Sequence, residues 1–228
     1  AFADGAMIGA VAVLFASFSR SAYIGAVAAL ITTGLTVKRL GKRMVAIGAV
    51  IIAVIGVGAF YVSSTDWFSN VVLHEDPEST VVTKSNEGHV DSLVDGAKRM
   101  VGQPFGAGIG TTGSASMYDE NSANDVVIEN YYFFVAHEAG WLGLILFVAI
   151  FSYVLWLLWQ RRQSWAALGL FASGVGLSII GLLLPVWADE TVAIVWWGLA
   201  GAVVAAPGGI IGTGYAAKSR QQKTTRTT

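Results

Sequence analysis

A chain of 228 residues, 54% of them hydrophobic and only 13% charged, with a positive mean hydropathy, has the balance of a membrane protein rather than of a soluble domain. Its formal net charge of −1 gives no footing for a nucleic-acid partner, and the absence of cysteine excludes disulfides, thiolate metal sites and cysteine nucleophiles. The chain opens on Ala1 and enters apolar sequence with neither a basic flank nor a cleavage site, the pattern of a piece of a longer protein rather than of a signal peptide.

A spanning helix needs about 20 mostly apolar residues. Residues 6–37 are apolar but interrupted by Ser19 and Arg20, which suits a truncated helix followed by a second one. A basic turn follows at Lys38, Arg39, Lys42 and Arg43, and then a second apolar run, 44–63. Further runs occupy 133–159, 164–187 and 191–212, with Arg161 and Arg162 between the first two and Lys218, Arg220, Lys223 and Arg226 after the last. The expected fold is all-α, a polytopic transmembrane helix bundle of about five spans. Its parts are membrane helices in 1–63, a loop at 64–132, three membrane helices in 133–212 and a polar tail at 213–228. Threading five spans between the three basic clusters puts all of them on one side, which the positive-inside rule makes cytoplasmic. The loop 64–132, rich in acids with only Lys84, Lys98 and Arg99 as bases, then lies outside the cytoplasmic membrane.

Within that loop, residues 71–88 are polar and without period. Val90, Leu93, Val94, Ala97 and Val101 then recur at helical spacing, predicting an amphipathic helix over 89–101 that lies against the bundle or the membrane face. Gln103-Pro104 ends it, because proline disfavours helical geometry in the preceding residue. The glycine-rich stretch Gln103 to Gly113, "QPFGAGIGTTG", lacks the Gly-Lys-Ser/Thr ending of a P-loop and the strand that precedes a dinucleotide fold. Its glycines still permit backbone N–H groups to converge on an anion such as a lipid-borne phosphate.

Individual residues carry plain structural readings. Arg99 pairs with Asp95 at i, i+4. His137 is an interfacial histidine bonded within the bundle, and Glu138 pairs with a basic neighbour. Tyr131, Tyr132, Phe133 and Phe134 form an interfacial belt, and Gly140 and Gly143 allow close helix packing. Glu129, His137 and Glu138 nonetheless stand at the membrane boundary, where ionisable groups are expensive and a functional role is the default. Arg20 has no acid within a helical turn, so its guanidinium needs an acid from another helix or a bound phosphate.

In order, "SRSAY", a long outer loop, "QPFGAGIG" and "ENYYFFVAHEAGWLG" resemble the O-antigen ligase and O-antigen polymerase superfamily over about residues 15–148. That family carries a Ser-Arg-small tripeptide ahead of a span, a Pro-x-x-Gly-x-Gly-x-Gly-like loop, and a His-Asn pair nine residues ahead of Gly-x-x-Gly. Asn130, Gly140 and Gly143 match the last element, and Glu138 matches a glutamate common before its first glycine. Two positions depart. Glu129 stands where the ligases have histidine, which leans towards a polymerase-like specificity, and His89 stands where many members have arginine. Members have about ten to twelve spans, so the resemblance implies that an N-terminal half precedes this chain.

The resemblance implies an integral protein of the cytoplasmic (inner) membrane that transfers a glycan from an undecaprenyl-diphosphate carrier to a glycan, lipid or protein acceptor hydroxyl on the outer face, without metal or cofactor. On that expectation Arg20 and Arg99 bind the diphosphate, His89 assists, and Glu129 is the general base. The loop glycines Gly106, Gly108 and Gly110 shape the wall or donate amides, with Asn130, His137 and Glu138 lining the substrate site. The alternative is a non-enzymatic transporter or flippase-type subunit for lipid-linked glycans, which would spread polar groups through the membrane's depth.

Overall fold

The structure, a computed structural model, describes residues 9–10, 12–14, 16–17, 19–37, 85–113, 116 and 126–206; of Arg20 and residues 85–90 it describes the backbone. The expected span 44–63, the basic turn 38–43 and the tail 213–228 lie outside the described residues. Among the described residues there is no strand. The order is α1 (Arg20–Thr36), α2 (Ser85–Gly102), α3 (Tyr131–Gln160), α4 (Trp165–Ile180), a 3-10 turn at Val186–Ala188, and α5 (Glu190–Ala205).

Helix α3 is long and apolar enough to cross a membrane, whereas α1, α4 and α5 are shorter apolar helices. At Gly140 the backbone of α3 leaves helical geometry, with φ +69° and ψ −174°. Residues 141–160 therefore form an unbroken run about 30 Å long, the thickness of a hydrocarbon core. Within the expected span 164–187, α4 covers 16 residues, and in the expected span 191–212, α5 ends at Ala205, residues 207–212 lying outside the described residues. Proline explains both differences. Pro185 sits in the tight turns that follow Ile180, and Pro207 holds Ala206 extended at ψ 125°, so α5 stops at Ala205.

Helices α3, α4 and α5 run up and down beside one another around a core of Phe151, Leu158, Ala167, Trp187, Trp196 and Ala200. Phe151, Trp187, Trp196 and Trp197 form an aromatic cluster of edge-on and tilted pairs with centroid separations of 5.1–6.0 Å. Glycines set the helix contacts: a Cβ on Gly176 of α4 would lie 2.5 Å from the Gly25 carbonyl oxygen of α1, so only bare backbones fit there. Gly25 also meets Ile180, while Gly176 meets Ala29, which makes α1 and α4 antiparallel.

Each end of the bundle is fastened. At one, the Tyr131 amide donates to the Gly181 carbonyl (2.8 Å), the Asn130 amide nitrogen to Leu182 (2.9 Å) and the Tyr132 hydroxyl to Ser178 (3.0 Å), joining the start of α3 to the end of α4. At the other, the Arg161 guanidinium donates to the carbonyls of Val203 (2.7 Å) and Ala206 (3.0 Å), closing the C-terminal end of α5.

Candidate functional site

The glycine-rich loop and the break in α3 make one another possible. Where α3 is interrupted, the carbonyls of its preceding turn lose their helical partners. The loop supplies replacements: Ala107 N–H donates to the His137 carbonyl (2.6 Å), and Gly108 N–H to that of Glu138 (3.2 Å). In return Trp141 N–H donates to the Pro104 carbonyl (2.9 Å) and its indole N–H to that of Met100 (2.6 Å). Gly106 (φ +80°) and Gly140 stand back to back. A Cβ on the first would lie 2.6 Å from Gly140 N, and one on the second 2.6 Å from the Pro104 oxygen. Gly110 N–H donates to Glu138 Oε1 at 2.9 Å. The amides of Gly106, Ala107, Gly108 and Gly110 are thus engaged inside the protein.

Helix α2 lies along the first part of α3, and its contact face is rotated from the one its apolar period suggested. Leu93 and Ala97 are half-buried, but Val94 and Val101 face outward, and the buried residue is Gly96. A Cβ on Gly96 would lie 3.1 Å from Phe133 and 3.2 Å from Ile128, so the missing side chain is what lets α3 approach. Ser92, one turn earlier, is a clamp that sequence reasoning missed: its hydroxyl donates to the Val127 carbonyl (3.1 Å) and accepts from Glu129 N–H (3.0 Å). Thr112, 1% exposed, holds the same segment from the other side by donating to the Val126 carbonyl at 2.7 Å. Small hydroxyl residues without a motif gave no sequence signal for either role.

Asn130 is buried, and both its side-chain oxygen and its nitrogen are bonded. Its side-chain oxygen accepts from Tyr132 and Phe133 N–H at 2.9 and 3.1 Å as the N-cap of α3, and its nitrogen donates to Leu182. This accounts for the residue structurally. Ser19 likewise caps α1 by accepting from Ala22 N–H at 3.4 Å.

Arg99 makes the expected pair, Nε to Asp95 Oδ2 at 2.8 Å. That hydrogen bond holds the Asp95 carboxyl below the usual carboxylate range, with the positive charges of Arg99 and Lys98 adding to it. His137 is 2% exposed, and its Nδ1 has no partner among the described residues. Arg99, Glu138 and Asp95 are the charged groups whose fields reach it. Glu129 follows the Ser92 clamp at the same end. Since α1 and α4 are antiparallel, the α1 terminus that carries Arg20 also belongs to the end where α4 finishes and α3 begins. The side chains of Arg20 and His89 lie outside the described residues. Among the described residues, no cluster of His, Asp and Glu has the form of a metal site. The gathered groups are cations, carboxylates and an imidazole, which suit charge stabilisation and proton transfer.

Over 96 residues, 42% of its length, the chain is 28% identical to an O-antigen polymerase of Salmonella muenchen. It spans about a quarter of that protein, 24% of its length. No family model matches the chain, and no solved structure matches it.

Proposed function

We propose that this chain is part of an O-antigen polymerase- or ligase-like glycosyltransferase of the cytoplasmic membrane, acting in cell-surface polysaccharide synthesis on an undecaprenyl-diphosphate-linked glycan. The acceptor hydroxyl oxygen attacks the anomeric carbon of the donor glycan, and the bond from that carbon to the diphosphate oxygen breaks. Glu129 takes the hydroxyl proton, and the lipid diphosphate leaves with the bonding electrons. Arg20 and Arg99, with His89, offset the charge that grows on the leaving group; bidentate guanidinium donors act strongly where water is scarce. Glu138 and His137 fix the wall against which the glycan rests.

One observation carries the choice of an enzyme over a translocating subunit. Glu129, Arg99, His137, Glu138 and the start of α1 share one end of the bundle. Beyond it, α3 from Trp141 onward and all of α4 contain no Asp, Glu, Lys, Arg or His, and α5 has only Glu190 in its first turn. A transport path needs polar groups at depth. The partial similarity to an O-antigen polymerase points the same way.

The test is glycan transfer from purified undecaprenyl-diphosphate oligosaccharide by the protein in vesicles, with donor binding measured alongside. Glu129→Gln is expected to lower transfer by about 10²–10⁴-fold, the worth of a general base, while donor binding persists. Arg99→Ala is expected to weaken both. Transfer at the wild-type rate in Glu129→Gln removes the proposed base, and binding with no transfer by wild type favours the translocating subunit.

A further inference from the structure

The loop that clasps α3 presents large apolar side chains to the outside. Phe105 is 94% exposed and Ile109 81%, with Val101 exposed just before them on α2. Large apolar side chains gathered on one exposed face mark a contact with a membrane or another protein. We propose that the tip of this loop, with the C-terminal turn of α2, inserts into the outer leaflet of the bilayer and forms a second membrane contact beside the spanning part of α3.

Three observations commit the face to lipid. The first is register. Ser92 meets residues 127 and 129, Gly96 meets Phe133, and Met100 meets Trp141, so α2 runs parallel to the start of α3 and descends towards Gly140. Along its outer face, Asp91, Asp95 and Lys98 give way to Val101, and the chain carries no charge from Met100 to Tyr118. Charge therefore ends at the level where the apolar run of α3 begins.

The second is continuity. Trp141 and Leu142, directly below the clasp, are exposed on α3, and the exposed apolar surface continues through Ile145 and Leu146. The Trp141 indole, tied to Met100, has the position of an interfacial anchor. The third is backbone satisfaction. Lipid excludes loops because unpaired N–H groups cannot enter it. Here the amides of Gly106, Ala107, Gly108 and Gly110 are already paired to protein oxygens, and the Thr111 hydroxyl donates to the Gly108 carbonyl at 2.6 Å. The loop can lose water around these four amides without orphaning them, while the amides of Phe105 and Ile109, which have no protein acceptor among the described residues, keep water or headgroup partners.

The absence of cysteine makes the test direct. Single Phe105→Cys, Ile109→Cys and Val101→Cys variants of the full chain carry a nitroxide label in vesicles of phosphatidylethanolamine and phosphatidylglycerol. Tyr153→Cys, exposed within the span, and Asp91→Cys, exposed at the far end of α2, are the references. Spectral saturation is read with dissolved oxygen and with a water-soluble nickel chelate. Labels at 105 and 109 are expected to match Tyr153→Cys, reached by oxygen and shielded from nickel, with 101 intermediate. Nickel access at 105 and 109 equal to that at Asp91→Cys would place the tip in water and overturn the proposal. Shielding from both agents would show that protein covers the face, from another segment or a second copy, and overturn it as well. Neither 105 nor 109 packs against the core, so the labels remove no buried contact.

Discussion

Gly106 and Gly140 each combine a left-handed φ with backbone atoms where a Cβ would stand. Alanine at either position meets both obstacles, and the conformational one alone costs about 1–3 kcal/mol. Gly140→Ala and Gly106→Ala should each lower the unfolding free energy in detergent by at least that much, read from the shift of the midpoint. Their double variant should lose less than the sum, because both changes break the same contact. Gly198→Ala in α5, with nothing near its would-be Cβ, is the internal comparison and should be neutral or slightly stabilising. The Asp95–Arg99 pair is a smaller matter. The folded-state carboxyl is held below its unfolded value, so the pair contributes above the unfolded value and its contribution is lost as pH falls through the lowered one. With Asp95 more than half exposed, screening leaves a few tenths of a kcal/mol, and Asp95→Asn should shift the midpoint little at neutral pH and not at all once the pH lies below the lowered carboxyl value.

Among the helices, two joints invite direct tests. Asn130→Ala removes the cap of α3 and the tie to Leu182, and should cost about 1–2 kcal/mol. Arg161→Ala frees two carbonyls at the end of α5, and hydrogen bonds from a charged donor are worth about 1.5–3 kcal/mol. Thermal unfolding in nanodiscs measures both. These joints also show what was legible in advance. The end of α2 at Gly102 follows from Gln103-Pro104, and the start of α3 lies close to where the apolar run begins. The break at Gly140 was not legible, because hydropathy does not encode the sign of φ and its partner glycine is far away in sequence. The rotated face of α2 escaped for a related reason: apolar periodicity weighs side chains, and the contact runs through Gly96, which has none. Apolar counts likewise pass over Pro185 and Pro207, so α4 and α5 read longer than they are. The same holds for the site. Glu129, His137 and Glu138 stood out as ionisable groups near a boundary, whereas Ser92 and Thr112, which hold the segment carrying Glu129, are ordinary hydroxyl residues at unremarkable positions.

For the molecule as a whole, the open quantity is how many of its helices cross. Helices α4 and α5, at 16 residues, are about 24 Å long against a core of about 30 Å. The shortfall is small enough to be met by local thinning of the bilayer and by the apolar turn between them, residues 181–188, whose leucines extend the apolar length beyond α4. If both cross, Asp189, between them, lies on the same side as Asp91, while Ser164, ahead of α4, lies on the opposite side. Single cysteines at these three positions can be labelled in sealed cells with a maleimide that does not penetrate the membrane. Asp189→Cys and Asp91→Cys should react from outside, and Ser164→Cys only after the membrane is opened. Were Ser164→Cys to react together with Asp189→Cys, α4 would not cross. The up-and-down packing of α3 and α4, which brings the start of α3, the end of α4 and the start of α1 to one end, would then not be the arrangement in the bilayer, and the single outward-facing site would fall with it.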